Sequence, residues 1–510
     1  MSGTERDASA YGALEARFRR LGLLSGAASM LHWDWATMMP PGGAEARAAQ
    51  LAELALIRHE MLTDSRVGDL LDEAEAEAEA DAAAEDGALD DWQRANLARM
   101  RRRWREATAL PADLVAALSE AASHCEMVWR EARPASDFVA FAAAFAPLLG
   151  LVREKAAALG EALGHTPYDA LMESHEPGLG TAVVDPLFDD LADFLPEFLG
   201  RVREKQAGSA PPPPVAAPVA AQEALARHLM GALGFDFDHG RLDVSLHPFC
   251  GGSAGDIRIT TRYDEADALT GLMGVLHETG HALYEAGLPE DWRYQPVGRA
   301  AGMALHESQS LLIEMQACRS RPFMRFLAPL LHEHLGGEGA AACDADALHR
   351  RAIHVEPGYI RVDADEVTYP AHIMLRYRLE RALVADDLAC DEIPGAWADI
   401  HESLLGLRPR CHAEGCLQDI HWSVGEFGYF PSYTVGALMA AQFFAAAARD
   451  EPDLWQAIER GDFRPLLGWL RVNVHRLASR HNGPALLERA TGTPLSTAVF
   501  KAHLQRRYLD

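Results

Sequence analysis

The chain has 510 residues, of which 75 are acidic and 47 are lysine or arginine, so its formal charge is −28. This excess of negative charge repels phosphate backbones and anionic lipid headgroups, so we expect no nucleic-acid partner and no membrane attachment. A hydrophobic content of 49% is typical of a globular protein, and a chain of this length can bury a large core.

The N-terminal residues and the apolar runs predict a cytoplasmic protein. Residues 1–7 show no cationic stretch followed by an apolar one, which is the pattern of a secretory signal. The longest apolar run, residues 138–152, contains Pro147 and is too short to span a bilayer. We therefore expect neither export nor a membrane anchor.

Helical periodicity dominates most of the chain, because apolar residues recur every three or four positions, as in the leucine stripe of residues 51–60. Four prolines at 211–214, followed by Pro218, interrupt this pattern and predict an extended linker. We therefore expect a helical region over residues 1–210, a linker over 211–220 and a second helical region over 221–510. The three parts would form one structural unit.

Two stretches after the linker predict β-strands. Residues 242–246 alternate between apolar and polar side chains, and residues 256–261 are rich in Ile and Thr. A glycine-containing turn is predicted between them at Gly251 and Gly252. We predict that they pair as an antiparallel hairpin. The predicted fold class is therefore mainly α with a small antiparallel β-sheet.

The most informative motif is His277-Glu278-Thr279-Gly280-His281, which follows the predicted hairpin on a helical apolar pattern. Two histidines four residues apart lie one turn apart on the same helix face, so both imidazoles can bind one zinc ion. Glu278 lies about 100° around the helix from His277, which leaves it able to reach a water molecule at the metal as general base.

A catalytic zinc site with an open position needs a third protein ligand. Metzincins place a glycine and a histidine three and six residues after the second histidine, but Tyr284 and Gly287 stand there, so that class is excluded. Glu307 begins a later helical pattern and is the best candidate for the third ligand.

The chain resembles the carboxypeptidase Taq family of zinc metallocarboxypeptidases. The resemblance covers essentially the whole chain, and its motifs stand in the family's order. They are residues 33–43, His247-Pro248-Phe249, Asp256-x-Arg258-x-Thr260, the His277–His281 motif, His306-Glu307-Ser308-Gln309-Ser310, Ile360-Arg361-x-x-Ala364-Asp365 and Gly415-x-x-Gln418-Asp419-x-His421-Trp422.

This resemblance implies a large two-lobed helical metallopeptidase with a deep central groove, which the N-terminal region would cover. It also implies a homodimer that removes single residues from the free C-termini of peptides, using zinc or cobalt, one ion per subunit. Its motifs agree with His277, His281 and Glu307 as metal ligands and with Glu278 as the base.

A carboxypeptidase must also bind the substrate's terminal carboxylate. Arg361 is the better candidate, because a guanidinium group can bind a carboxylate through two parallel hydrogen bonds. The alternative for Arg361 is a structural ion pair with Asp363 or Asp365. Arg258 is the second candidate, and the strand pattern places it on one face with Asp256.

His247 is predicted either to bind substrate or to hold the hairpin. His421, Tyr429 and Tyr433 are candidates for polarising the scissile carbonyl and stabilising the oxyanion, and the angiotensin-converting enzyme group offers a looser analogy for them. Gln418 and Asp419 are expected to orient His421.

Two other functions remain open from the sequence. A zinc oligopeptidase or dipeptidyl carboxypeptidase acting on short peptides would use the same metal motif. A non-enzymatic helical scaffold with a decayed site is disfavoured, because both histidines, Glu278 and Glu307 are all present.

Overall fold

The structure, a computed structural model, describes residues 9–81, 89–208, 213–336 and 344–510. Residues 82–88 and the first prolines of the linker, Pro211 and Pro212, lie outside these ranges. Within them, every helix is too short or too polar to cross a bilayer.

The N-terminal part is helical, as the periodicity predicts. Its helices are α1 (Ala10–Thr37), α2 (Ala44–Thr63), α3 (Ser65–Asp81), α4 (Asp91–Thr108), α5 (Ala112–Ala135), α6 (Phe138–Leu163), α7 (Pro167–His175) and α8 (Thr181–Gln206). Local capping residues define several of these ends: the Ser9 side chain accepts from the backbone N–H of Gly12 at the start of α1, and α6 ends at Gly164, whose φ is +75°.

Besides several short 3-10 helices, the C-terminal part contains the sheet, a π-helix and the remaining α-helices. They are α9 (Val219–Leu233), β1 (Gly240–Val244), β2 (Cys250–Ser253), β3 (Asp256–Thr261), α10 (Ala268–Gly287), α11 (Met303–Leu311), a π-helix (Leu312–Cys318), α12 (Arg321–Leu335), α13 (Ala345–Ala352), α14 (Tyr369–Val384), α15 (Ile393–Leu405), α16 (Pro431–Asp450), α17 (Leu454–Glu459), α18 (Arg464–Asn473), α19 (Gly483–Thr491) and α20 (Ala498–Tyr508).

The small sheet is confirmed, but its predicted pairing is wrong. It is mixed, with the strand order β1-β3-β2. The two predicted strands, β1 and β3, are parallel neighbours, and Leu242 stands opposite Ile259. The antiparallel partner of β3 is β2, which contains Gly251 and Gly252, so these glycines lie in a strand instead of a turn.

Apolar residues form two core clusters. The smaller one is made by α1, α3 and α4, and includes the fully buried Leu14 and Val67. The larger one extends from α5 to α20 and includes Val275 and Leu276 of α10. Helix α10 is therefore anchored in the main core, which explains how it holds two polar imidazoles in fixed positions.

The described part of the predicted linker is hydrogen-bonded to the start of α10. Val215 is buried, and its carbonyl accepts a hydrogen bond of 2.9 Å from the backbone N–H of Ala268, the first residue of that helix. The Ala217 N–H donates to the Glu265 carbonyl at 3.1 Å. These contacts hold the segment against the loop that precedes the His277–His281 motif.

Candidate active site

The three predicted metal ligands lie together. Helix α10 presents His277 and His281, and α11 presents Glu307 opposite them. His277 Nε2 lies 4.0 Å from Glu307 Oε1, and His281 Nε2 lies 3.6 Å from Glu307 Oε2. One ligand atom from each residue lies within 4.8 Å of the other two, which is the spacing of donors around a single ion.

The other ring nitrogen of each histidine contacts a neighbouring group. His277 Nδ1 lies 2.9 Å from Glu314 Oε2, and His281 Nδ1 lies 3.1 Å from the His306 carbonyl. Glu314 is held in turn by Arg319 at 2.6 Å. Such contacts orient both rings so that their Nε2 atoms face the centre of the cluster.

Glu314, the partner of His277, is a site residue that the sequence did not indicate. It lies on the π-helix that continues α11, seven residues beyond Glu307, and two helical turns place such a pair on the same face. Burial raises the pKa of Glu314, but Arg319 and His277 outweigh it and lower that pKa to about 2. The heptad spacing was the signal that could have identified this residue.

Glu278 is buried beside the ligands, with 7% of its surface exposed. Burial raises the pKa of its carboxyl to about 7, and although Glu307 adds to this rise, His277 opposes it. A carboxyl with a pKa near neutrality can both accept and release a proton at physiological pH, as a general base requires.

Close helix packing positions Glu307. A Cβ atom at Gly280 would lie 2.6 Å from the Gln309 carbonyl oxygen, so α10 and α11 approach each other only because residue 280 is glycine. On the other side, a Cβ atom at Gly436 of α16 would lie 2.9 Å from the Cβ of Glu307. The third ligand is thus held between two helices at glycine contacts.

The N-terminus of α11 is held by Glu176, a residue that the sequence did not indicate. Its Oε2 accepts from the Ala304 N–H at 2.7 Å and from the Leu305 N–H at 3.4 Å. Burial is the largest influence on the pKa of this carboxyl and raises it to about 7. Because Glu176 is 128 residues from Ala304, no local pattern could have pointed to it.

Arg361 is buried near the metal ligands. It forms an ion pair, but with Asp419, so the predicted pairing with Asp363 or Asp365 is wrong. Its Nε donates to Asp419 Oδ1 at 2.9 Å, and Nη1 donates to the Tyr369 hydroxyl at 2.9 Å. Asp365 instead accepts from backbone N–H groups of its own loop, including that of Thr368. Arg361 also counters the burial that raises the pKa of Glu307, which shows that its charge reaches the third ligand.

Gln418 and Asp419 hold Arg361, whereas they were expected to orient His421. Gln418 Oε1 accepts from the Arg361 backbone N–H at 2.8 Å, and Asp419 bridges Arg361 to Arg376, which lies 2.5 Å from Oδ2. The Nδ1 atom of His421 is buried without a hydrogen-bond partner among the described residues.

His421, Tyr429 and Tyr433 form an aromatic group. The His421 ring lies 5.8 Å from that of Tyr429, and the two tyrosine rings are 5.2 Å apart. Burial lowers the pKa of His421 to about 4, with Arg361 adding to the shift while Asp419 opposes it. Burial also raises the pKa of both tyrosines, so the phenols stay protonated and the imidazole stays neutral near pH 7.

The loop that carries this group is held by the buried carboxylate of Glu380. Its Oε1 accepts from Trp422 Nε1 at 2.9 Å, and its Oε2 accepts from the Gly428 N–H at 2.9 Å. The Tyr168 hydroxyl donates to the same Oε2 at 2.8 Å. These bonds join α14 and α7 to the segment between His421 and Tyr429.

The other predicted substrate-binding residues lie on the sheet. Arg258 pairs with Asp256 on one face of β3, with Nε–Oδ1 at 2.8 Å, and its guanidinium lies 5.8 Å from the Trp33 ring centre. His247 is exposed in the loop between β1 and β2. In the described part of the chain, no hydrogen bond, ion pair or ring contact joins these three residues to the metal ligands.

A cavity of about 1210 Å³ lies beside the site. Its walls come from α1, α4, β2, α10 and the start of α11, together with His421, Tyr429 and Tyr433. His306, next to the third ligand, also lines it. The cavity therefore brings the aromatic group and the edge of the metal cluster to one space large enough for a peptide segment.

Comparison with known proteins agrees with this geometry. The family model described as carboxypeptidase Taq (M32) metallopeptidase matches residues 13–508. The chain is 38% identical to thermostable carboxypeptidase 1 of Thermus thermophilus over 503 residues, which cover 96% of each chain. It is 32% identical to carboxypeptidase 1 of Bacillus subtilis, again covering 96% of both proteins.

Solved structures show the same fold. Metallocarboxypeptidase 1 of Trypanosoma cruzi superimposes with a TM-score of 0.94 at 40% identity, covering 98% of this chain and 99% of that one. The M32 carboxypeptidase of Deinococcus radiodurans gives a TM-score of 0.90 at 33% identity, covering 98% of both chains. The chain therefore belongs to the carboxypeptidase Taq (M32) family of metallopeptidases and is a metal-dependent carboxypeptidase.

Proposed function

We propose that this protein removes single amino acids from the C-termini of peptides with broad specificity, with zinc as its metal and Glu278 as its general base. The observation that carries the proposal is the convergence of His277, His281 and Glu307 beside the buried Glu278. Two imidazoles and one carboxylate are a donor set of catalytic zinc sites, and they leave a coordination position open.

The electrostatics of the cluster fit a cation. Burial lowers the pKa of His277, yet Glu314, Glu307 and Glu278 outweigh it and raise that pKa to about 10. The cluster thus holds more negative charge than Arg319 offsets, which favours a divalent ion, one per subunit, with cobalt as the alternative to zinc. When bound, the ion would polarise the scissile carbonyl and lower the pKa of a water molecule.

Proton transfer is assigned to Glu278. Its pKa near 7 lets it take a proton from the attacking water and deliver that proton to the leaving amine. The neutral His421 and the protonated Tyr429 and Tyr433 supply hydrogen-bond donors for the oxyanion that forms on the scissile carbonyl. Their position in the cavity wall supports this role.

We assign the terminal carboxylate of the substrate to Arg361. Asp419 and Tyr369 hold the guanidinium rigidly, and its carbon lies 5.0 Å from the Tyr433 ring centre, beside the aromatic group. Arg258, with Asp256 and His247, is the second candidate surface. The charge of Arg361 counters the burial that raises the pKa of Glu307, whereas within the described ranges no contact joins Arg258 to the metal ligands, so Arg361 is the better placed of the two.

One experiment tests the proposal. An N-terminally blocked peptide and its C-terminally amidated twin are incubated with the purified protein, with and without a chelator, and the products are read by mass. We expect stepwise loss of single residues from the free acid only, abolished by the chelator and restored by zinc. Release of dipeptides would indicate a dipeptidyl carboxypeptidase, and internal cleavage of both peptides would indicate an oligopeptidase.

The homodimer and the cytoplasmic location remain predictions from the sequence, as do the deep groove and the division near residues 211–220.

A further inference from the structure

A second cavity, of about 810 Å³, lies apart from the active site. It is bounded by the end of α8, the π-helix, α12, α13, α16, α17 and α20, and it shares no lining residue with the cavity beside the metal ligands. Its volume lies within the range of small-molecule sites. None of the residues assigned above to the peptidase reaction lines it.

The charge of this cavity is opposite to that of the protein. Six of its lining residues are lysine or arginine, and one, Asp510, is acidic, although acids outnumber bases in the whole chain by 75 to 47. Three of these cations are neutralised by ion pairs of 2.6–2.9 Å: Arg321 with Asp346, Arg449 with Asp450 and Arg507 with Glu366.

Among the described residues, the other three cations have no such partner. Within the described ranges, no carboxylate lies within 4 Å of the charged groups of Lys205, Arg350 or Arg506. They lie on three different elements, α8, α13 and α20. Three unneutralised cations brought to one concave surface by separate helices create a positive potential that attracts anions.

Two histidines in the cavity wall have lowered pKa values. His349, which is buried in the wall, has a pKa lowered to about 4, first by burial and then by Arg321 and Arg507. Burial also lowers the pKa of His503, and Arg507 and Arg506 add to the shift while Glu366 opposes it. Both rings are therefore neutral and can donate or accept a hydrogen bond without adding charge.

One wall is rigid. The buried carboxylate of Glu366 binds His503 Nε2 at 2.8 Å, Arg507 Nη1 at 2.9 Å and the Tyr508 hydroxyl at 3.0 Å. Arg507 also donates to the Gln316 carbonyl of the π-helix at 3.1 Å. Because these bonds join α20 to the π-helix, the cavity is formed before any ligand enters, which lowers the entropy cost of binding.

Two aromatic residues also line the cavity. Phe444 and Trp455 pack with ring centres 5.0 Å apart, and Trp455 keeps 39% of its surface exposed. An indole that keeps part of its surface exposed in such a cavity can stack against a planar ring. The cavity thus combines an anion-binding group with a stacking surface.

We propose that this cavity binds a nucleotide, with its phosphates bound by Lys205, Arg350 and Arg506 and its base against Trp455. Arginine binds phosphate oxygens through paired hydrogen bonds, and the indole supplies affinity for the base. A carboxylate-bearing metabolite without a ring would use only the cationic half of the site.

Calorimetric titration of the metal-loaded protein with ADP tests the proposal, with adenosine and pyrophosphate as the two halves of the ligand. We expect saturable binding of one ADP per chain, and weaker binding of each half by about tenfold or more. Metal content measured before and after the titration excludes removal of the ion by the phosphates. Absence of ADP binding at millimolar concentration would overturn the proposal, and equal affinity for pyrophosphate would overturn the assignment of Trp455.

Charge reversal locates the binding. The double variant Arg350→Glu/Arg506→Glu is expected to bind ADP about tenfold or more weakly while keeping the parent's peptidase activity, which reports correct folding. Its matched control is Arg201→Glu/Arg203→Glu, two exposed cations on α8 outside the cavity, which should bind as the parent does. Equal ADP affinity in both double variants would overturn the proposal.

Metal removal and size-exclusion chromatography test whether the cationic surface has a different role. If ADP binding disappears when the metal is removed and is unaffected by the charge reversal, the nucleotide binds at the metal and the proposal fails. If the parent binds no ADP and the charge reversal alters its oligomeric state in size-exclusion chromatography, the surface is a subunit interface, which also overturns the proposal.

Discussion

The substitution Gly280→Ala tests whether close helix packing positions the third metal ligand. Gly280 lies between the two histidines of α10, and an added Cβ would stand 2.6 Å from both the Gln309 carbonyl oxygen and the Ser310 Cα. Ordinary contact begins at 3.4 Å, so α11 must move by about 0.8 Å. Backbone atoms oppose the methyl group, and a backbone cannot yield as the end of a flexible side chain can.

This displacement is large on the scale of metal coordination, where ligand distances are met to within about 0.2 Å. Glu307 lies on the displaced helix, two residues before Gln309. We expect zinc affinity to fall by about 10–100-fold, the loss typical when the groups that orient metal ligands are disturbed. Overpacking also costs about 1–3 kcal/mol of unfolding free energy in the metal-free protein.

The assay is competition with a chromophoric chelator for zinc, combined with urea unfolding of the metal-free protein. Gly274→Ala is the matched control, because this glycine lies on the same helix and nothing stands within 4 Å of its added Cβ. The control should bind zinc as the parent does and gain about 0.5–1 kcal/mol from the better helix former. Zinc binding by Gly280→Ala as tight as that of the control would show that this glycine contact does not position Glu307.

Four further predictions concern the side chains around the metal. Glu278→Gln should keep its metal, measured by elemental analysis, but lose about 10²–10⁴-fold or more in kcat, and near-normal turnover would remove the base assignment. Glu314→Gln should weaken zinc binding about 10–100-fold, and unchanged affinity would mean that the ring of its histidine partner is held in another way. Arg361→Ala should reduce the preference for free over amidated peptides far more than Arg258→Ala does, and the reverse order would move the carboxylate site to the sheet. Glu176 binds a proton in the folded protein up to about pH 7 but in the unfolded chain only to about pH 4.5, so its contribution to stability is complete below pH 4.5 and is lost as pH rises towards 7. Urea unfolding at pH 5 and pH 7.5 should show Glu176→Gln gaining up to about 3 kcal/mol relative to the parent over this interval, and parallel pH profiles would contradict the prediction.

The metal ligands could be predicted because their pattern is local or nearly so. His277 and His281 depend only on the helix period, and Glu307 begins the next apolar helical pattern along the chain. Glu314 follows the same period and could have been found. Glu176 and the pairing of Asp419 with Arg361 could not, because the partners are 128 and 58 residues apart in sequence.

In the sheet, too, the local pattern could be predicted but the contacts between distant segments could not. Alternating residues identified β1 and β3 as strands, but nothing in either segment specifies its neighbour. The short strand β2 has two glycines, which predict a turn, yet in the fold Gly252 adopts a φ of +102°, and an added Cβ would stand against the Asp256 carbonyl oxygen. A close approach between backbones therefore explains Gly252 better than a turn does.

By itself, the sequence determined the helical class, the metal-binding motif and the residue types that peptide hydrolysis needs. Only the tertiary structure decided which acidic side chain pairs with which basic one, which strand lies beside β1, and where Glu307 lies relative to the two histidines. The physical reason is that periodicity specifies which face of an element is apolar or carries ligands, whereas the distance between two elements depends on contacts such as that of Gly280 with Gln309, which form only when the core packs.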